Sequence, residues 1–282
     1  MKEKQSGGMR LSLFDPTGNI TALVESPVAI GEQSAAAERI MSRFPKVEQV
    51  GFVRFPESEA NPVELRMAGG EFCANAAMST GALALLRRAN GAGNSGTWET
   101  VSLRISGLSR ETQTRLRRES ADSFRASVRM PPVRALTENV FPFGTLRDKL
   151  SIVRMEGICH AIVTPASAFF SLREDKAAAE EAARRICAAL GAEAVGLMFL
   201  EGTAPRLRLT PLVFVPGSGT MFWESSCASG SAAVGEYLSA AAGGPVSLEL
   251  EEPGGVLFVE SDGRHGETWI LGRTRLIGTE TV

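Results

Sequence analysis

AGGEFCANAAMSTGA at residues 68–82 and WESSCASGSAAVGEY at residues 223–237 carry one pattern twice: an acid, a cysteine, a run of small residues, and a glycine eight positions after the cysteine. Cys73 and Gly81 mark the first copy, Cys227 and Gly235 the second. Each follows an apolar, strand-like segment and leads into Ala-rich sequence too poor in branched residues for a strand. Strand, tight turn and helix is therefore the natural reading of both. The cysteine then stands at a helix mouth, where peptide dipoles and unpaired N–H groups favour thiolate over thiol. A single free cysteine is ordinarily a small core hydrophobe. Two in matched settings, followed by Ala74, Asn75 and Ala76 in one case and Ala228, Ser229 and Gly230 in the other, point instead to a pair of opposed proton-transfer groups.

Working outward from these turns, the two halves share an order of elements. The first has strands at 10–14 and up to Val24 around the turn chemistry of Pro16-Thr17-Gly18-Asn19, then a helix over 30–44 stopped by Pro45. Strands at 48–55 and 63–67 lead to the Cys73 helix, which runs to about Arg88, followed by a glycine-rich loop over 90–97 and strands at 101–106, 123–130 and 149–155. The second half has a strand at 157–164, a helix at 173–190, and strands at 194–200 and 206–215 before the Cys227 turn. Its helix runs to about Ala241, and strands at 246–251, 255–260 and 268–273 close it. The expected architecture is α+β: a leader over 1–8, disordered, and two similar domains over 9–145 and 146–282, each a curved sheet wrapped around a central helix. Both helix N-termini then meet at an interdomain cleft, where a small ligand would bind.

Composition narrows the function. With 282 residues, 44% of them hydrophobic, the chain can bury a substantial core, and its formal charge of −2 with scattered Lys and Arg implies neither nucleic acid nor an acidic membrane as partner. Arg115, Arg117 and Arg118 form the densest basic group and read as a solvated loop or strand face. No stretch is long and apolar enough to span a bilayer, and MKEKQSGGM has no secretory core, so the cytoplasm is expected. The four cysteines and the two histidines, His160 and His265, have no metal-site spacing, and no metal is expected. Cys159 and Cys187 read as core residues, Trp223 as packing, and Glu71 and Glu224 as acids near the helix mouths.

The chain resembles the cofactor-independent amino-acid racemases and epimerases built on the diaminopimelate epimerase fold, from about Leu11 to Gly272, with a closer likeness to the histidine racemases of opine metallophore biosynthesis. The likeness rests on PTGN (16–19), EQVGF (48–52), GGEFCANAAMS (69–79), PLVFVP (211–216), WESSCASGSA (223–232) and EPGG (252–255). It implies two catalytic cysteines, Cys73 and Cys227, acting as thiolate base and thiol acid on opposite faces of the substrate α-carbon. It further implies substrate contacts by Asn19 and Asn75 and by backbone amides after each cysteine, namely those of Ala74, Asn75, Ala228 and Ser229. Glu48 would be an acid specific to the histidine branch, and His160 sits where the epimerases place a histidine near the site. Ile158-Cys159 and Ser218-Gly219 replace residues that diaminopimelate epimerases use, so diaminopimelate is a poor substrate candidate.

Inversion at Cα without a pyridoxal electron sink requires the protein to stabilise the carbanion itself. The sequence has no phosphate cradle in a strand-to-helix setting, so no cofactor is expected. Helix N-termini aimed at the substrate carboxylate supply the needed positive potential. The expected partner is a small amino acid, histidine favoured, with the chain a monomer or homodimer. Two alternatives stay open: an epimerase or isomerase of the same fold acting on another small acid, and a dithiol redox sensor or binding protein without turnover.

Overall fold

The computed structural model describes residues 8–58, 60–88, 96–217, 219–263 and 266–282. The expected leader, all but Gly8, most of the 90–97 loop, and His265 lie outside them.

The first strands follow one another across the sheet in chain order: β1 (Arg10–Pro16), β2 (Thr21–Val24), β3 (Gln49–Arg54), β4 (Val63–Met67), β5 (Trp98–Ile105), β6 (Thr112–Arg118) and β7 (Ser123–Arg129). The last strand of the chain, β16 (Thr268–Thr281), inserts between β7 and β1 and closes them into a ring. Inside that ring runs the helix α2 (Ala74–Arg88), in contact with all eight strands. Its residues 74–85 are buried all round, which explains a composition of Ala, Gly, Ser and Thr with few bulky residues.

The other flank of β16 continues through β15 (Gly255–Ser261), β14 (Val246–Glu252), β12 (Arg206–Val215), β11 (Val195–Thr203), β10 (Cys159–Val163), β9 (Leu146–Arg154) and β8 (Ala135–Phe143), with the short β13 (Thr220–Trp223) on β12. The helix α4 (Ala228–Ala242) packs on β14, β15 and β16 and reaches β9, β10 and β11. Val195, Leu197 and Phe199 of β11 face α3 (Lys176–Leu190), while Met198 and Leu200 face the core that α2 and α4 share. That two-sided burial is why β11 reads as an unbroken apolar run. A third cluster seats α1 (Gln33–Arg43) on β2 and β3.

Gly81 and Gly235, the matched glycines of the two sequence copies, do equivalent work. A Cβ on Gly81 would lie 2.5 Å from Thr114 Oγ1, and one on Gly235 2.5 Å from Val259 Cγ1, so each lets its helix approach a strand closely. Three strands were not legible in the sequence: β6, β8 and β13. In β6, Thr112, Thr114 and Leu116 point inward while Arg115 stacks over Trp269 and Arg117 over Trp98, so the basic group lies on a strand face. β8 buries only Phe141 and carries Pro142, as an edge strand can. β16 runs eight residues beyond the expected end at Arg273 because Thr274–Thr281 pair with β1.

Candidate active site

Both cysteine turns form as the sequence predicts, and the structure sets them against each other. Asn75, two residues after Cys73, donates Nδ2–H to the carbonyl of Ser226, the residue before Cys227, at 3.1 Å. Asn19, from the PTGN turn, donates to the same oxygen at 3.1 Å. Both asparagines are buried, and their Oδ1 atoms have no protein partner. The PTGN and EPGG motifs meet here as well. Gly18, at φ +87°, lies so close to Gly254 that a side chain on either would collide with backbone, and Gly254 N–H donates to Ser225 O at 2.7 Å. Glu48 joins the cluster by accepting the Ser225 hydroxyl at 2.8 Å.

The Cys73 sulfur is half-buried, donates its thiol proton to Gln49 Oε1, and accepts the Ala76 amide at 3.3 Å. In the manner of a capping serine, the side chain thus satisfies an orphan N–H of its own helix. Cys227 is buried at the N-cap of α4 in extended conformation, with Ser229 Oγ 3.6 Å from its sulfur. Ser229 in turn lies 3.1 Å from Nε2 of His160, a buried ring whose space is provided by Gly196. His160 is neutral, since burial pushes its pKa down to about 3. Its relation to the cysteine runs through Ser229 rather than by direct contact.

At both helix mouths the pull toward thiolate meets an opposing influence. Burial is the main cause in pushing the Cys73 thiol up to about 12, aided by Glu71 and Glu224 and opposed by the Ala76 and Asn75 amides. Cys227 is raised well above the ordinary thiol range, again by burial first, with Glu224 and Glu252 adding to it. The helix mouths do favour thiolate, but desolvation outweighs them in this state.

Sequence reasoning placed one carboxyl near a helix mouth without its link to the cysteine, and missed a second carboxyl and an amide. Glu224 is a half-buried acid beside Cys227, pushed up to about 7 by desolvation first and then by Glu48 and Glu71. Glu252 of the EPGG motif is buried and accepts the Cys227 amide at 2.6 Å and the Ser231 hydroxyl at 2.5 Å. Gln49, adjacent to the expected Glu48, is the residue that meets Cys73. Their motifs were visible in the sequence, but motif membership alone does not say which side chain faces inward. Among the described residues, no ion pair reaches Glu48, Glu224 or Glu252, and no group of side chains has the make-up of a metal site. Cys159 and Cys187 lie in the α3 core, and Trp223 stacks on Phe199, as expected.

Two cysteine-bearing helix mouths adjoin on one large sheet wrapped around few helices, and the relatives that follow make the class a cofactor-independent racemase. A probable proline racemase from Agrobacterium radiobacter K84 superposes with a TM-score of 0.66 at 15% identity, over 97% of this chain and 92% of its own, and so shares the fold. A histidine racemase of Fusobacterium nucleatum is 30% identical over 233 residues, 80% of this chain and 78% of its own. One from Staphylococcus aureus strain Mu50 is 24% identical over 277 residues, 96% of both. The family model for the histidine racemase CntK N-terminal domain matches residues 9–272, and the chain belongs to that family. It is an isomerase.

Proposed function

We propose that this enzyme inverts the α-carbon of a basic amino acid, histidine first, by passing a proton across it between Cys73 and Cys227. The supporting observation is the Asn75 bridge to Ser226 O, which sets the residues flanking the two sulfurs side by side. In this reading the substrate lies in a cleft between two similar halves, 9–145 and 146–282, that share β16. One sulfur faces each side of the stereocentre, and the amides of Ala74, Asn75, Ala228 and Ser229 face the carboxylate where negative charge accumulates. Asn19 and Asn75 offer their unpartnered Oδ1 atoms to the substrate ammonium. Glu48 and Glu224, acids without a protein cation, suit an imidazolium or similar side chain, in keeping with the histidine racemases named above. The enzyme works in the cytoplasm on the free amino acid.

Closure over the substrate excludes water, and the substrate ammonium supplies the positive charge that the free site lacks. The ammonium favours a thiolate that the empty site disfavours, and it must outweigh the expulsion of water, which by itself raises a thiol further. Incubating reduced protein with L-histidine and a panel of other L-amino acids in D2O, followed by chiral chromatography and mass spectrometry, tests this. Histidine should gain one α-deuterium and its enantiomer. A different amino acid labelled in its place changes the substrate, and absence of exchange across the panel sinks the proposal.

A further inference from the structure

The N-terminus of α4 already holds a carboxyl group supplied by the protein. Glu252 ends β14 and is 4% exposed. Its Oε2 accepts the amide of the N-cap residue Cys227, and its Oε1 accepts the hydroxyl of Ser231 one turn further in. The backbone beyond it is equally fixed, because Gly254 N–H binds Ser225 O and Gly254 presses on Thr17 and Gly18. The α2 turn has no such clamp. At Cys73 the side-chain partner is Gln49, a neutral amide, and the Ala76 N–H points at the sulfur. A glutamine can turn its amide to donate to a thiolate as readily as it accepts from a thiol; a carboxylate cannot.

We propose that Glu252 is a positioning residue that holds Cys227 as the proton-bearing thiol of the pair and leaves Cys73 to act as the first thiolate. The proposal rests on the two-thiol reading above. In the step it describes, Cys73 Sγ takes the α-proton, and the electron pair left on Cα spreads into the substrate carboxylate. The Cys227 S–H then delivers its proton to the opposite face and is left as thiolate. The pair resets when Cys73 releases its proton to water and Cys227 recovers one. A resting thiolate at Cys227 would add charge against Glu252 and Glu224, with Glu48 and Glu71 behind Glu224, Cys73 on the adjoining turn, and only the neutral His160 behind Ser229. Burial pushes the Glu252 carboxyl up to about 8, so it is ionised over the alkaline range in which thiols titrate.

The test uses the full chain carrying Cys73→Ser, so that a change in ultraviolet thiolate absorbance with pH reports Cys227 above a background from Cys159 and Cys187 that all the variants share. Adding Glu252→Gln keeps the shape and the amide contact but removes the charge. Cys227 should then titrate at lower pH, with about tenfold more thiolate at a given alkaline pH where the midpoint falls by about 1 on the pH scale. Ser231→Ala, which keeps the charge, should move it less. In the enzyme with both cysteines, Glu252→Gln should move the pH profile of racemisation in the same direction. A variant that melts at lower temperature while titration and pH profile stay put overturns the proposal and leaves Glu252 a purely structural clamp. If Glu252→Gln does not fold, Glu252→Asp, whose carboxylate is withdrawn by one methylene, takes its place under the same criterion. Failure of the racemase reading is separate: it appears as absent α-deuterium exchange in the wild type, while the thiol titration is still read.

Discussion

The Cys73 and Cys227 turns share a sequence pattern and differ in what surrounds the sulfur. Cys73 is half-buried, bonded to a neutral amide, and caps its own helix, with Glu71 and Glu224 acting on it through charge rather than through a hydrogen bond. Cys227 is fully buried, with two carboxyls, a serine and a neutral histidine about it. A pair that looks interchangeable along the chain is chemically graded, and the grading comes from residues on other strands: Gln49 from β3, His160 from β10 and Glu252 from β14.

The largest effect should come from removing either sulfur. Cys73→Ser and Cys227→Ser should each lower racemisation, read by chiral chromatography, by about 10²–10⁴-fold, whereas Cys187→Ala in the α3 core should leave it within a small factor of wild type. Equal residual activity in Cys73→Ser at all pH values and in both directions would argue against graded roles. Next in size is the pH response. Because both thiols are raised, the rate should climb by up to about tenfold per pH unit from neutrality into the alkaline range, measured as kcat/KM. A profile falling above neutrality would contradict the assignment of a thiolate base.

Packing around the two helices sharpens the comparison further. Gly81→Ala should cost about 1–3 kcal/mol in denaturant unfolding, because Thr114 and Leu116 both crowd the new Cβ. Gly235→Ala, opposed chiefly by Val259, should cost less. The smallest effect concerns linkage. Glu224 has a folded pKa of about 7 against an ordinary 4.5, so the unfolded chain loses this proton first, and stability falls as pH rises through that window. Glu224→Gln should remove that part of the slope of Tm against pH, leaving a flatter curve between those values than wild type gives.

Much of the site was legible in the sequence because the chain states it twice. The cysteines, their helices and the strand over 206–215 follow from turn chemistry and composition. Asn19 and Asn75 stand out within their motifs, while their convergence on one carbonyl belongs to the tertiary structure. Less legible were β6 and β8. Alternation in the first is carried by threonines against arginines, and the second buries a single phenylalanine, so neither offers the apolar periodicity that marks a strand. The thiol protonation states are hidden for a different reason: a helix dipole can be read from sequence, whereas desolvation depends on atoms supplied by distant strands.

The placement of β16 also governs how this protein is born. Arg10 pairs with Thr281, so the strand that seals the first ring is synthesised after the seven strands it joins. Until then β1 and β7 present open edges around an apolar helix, and the nascent chain must be shielded from strand addition by its neighbours. A cut that removes residues 276–281 would unpair β16 from residues 10–14 of β1 and leave that edge open for the life of the molecule.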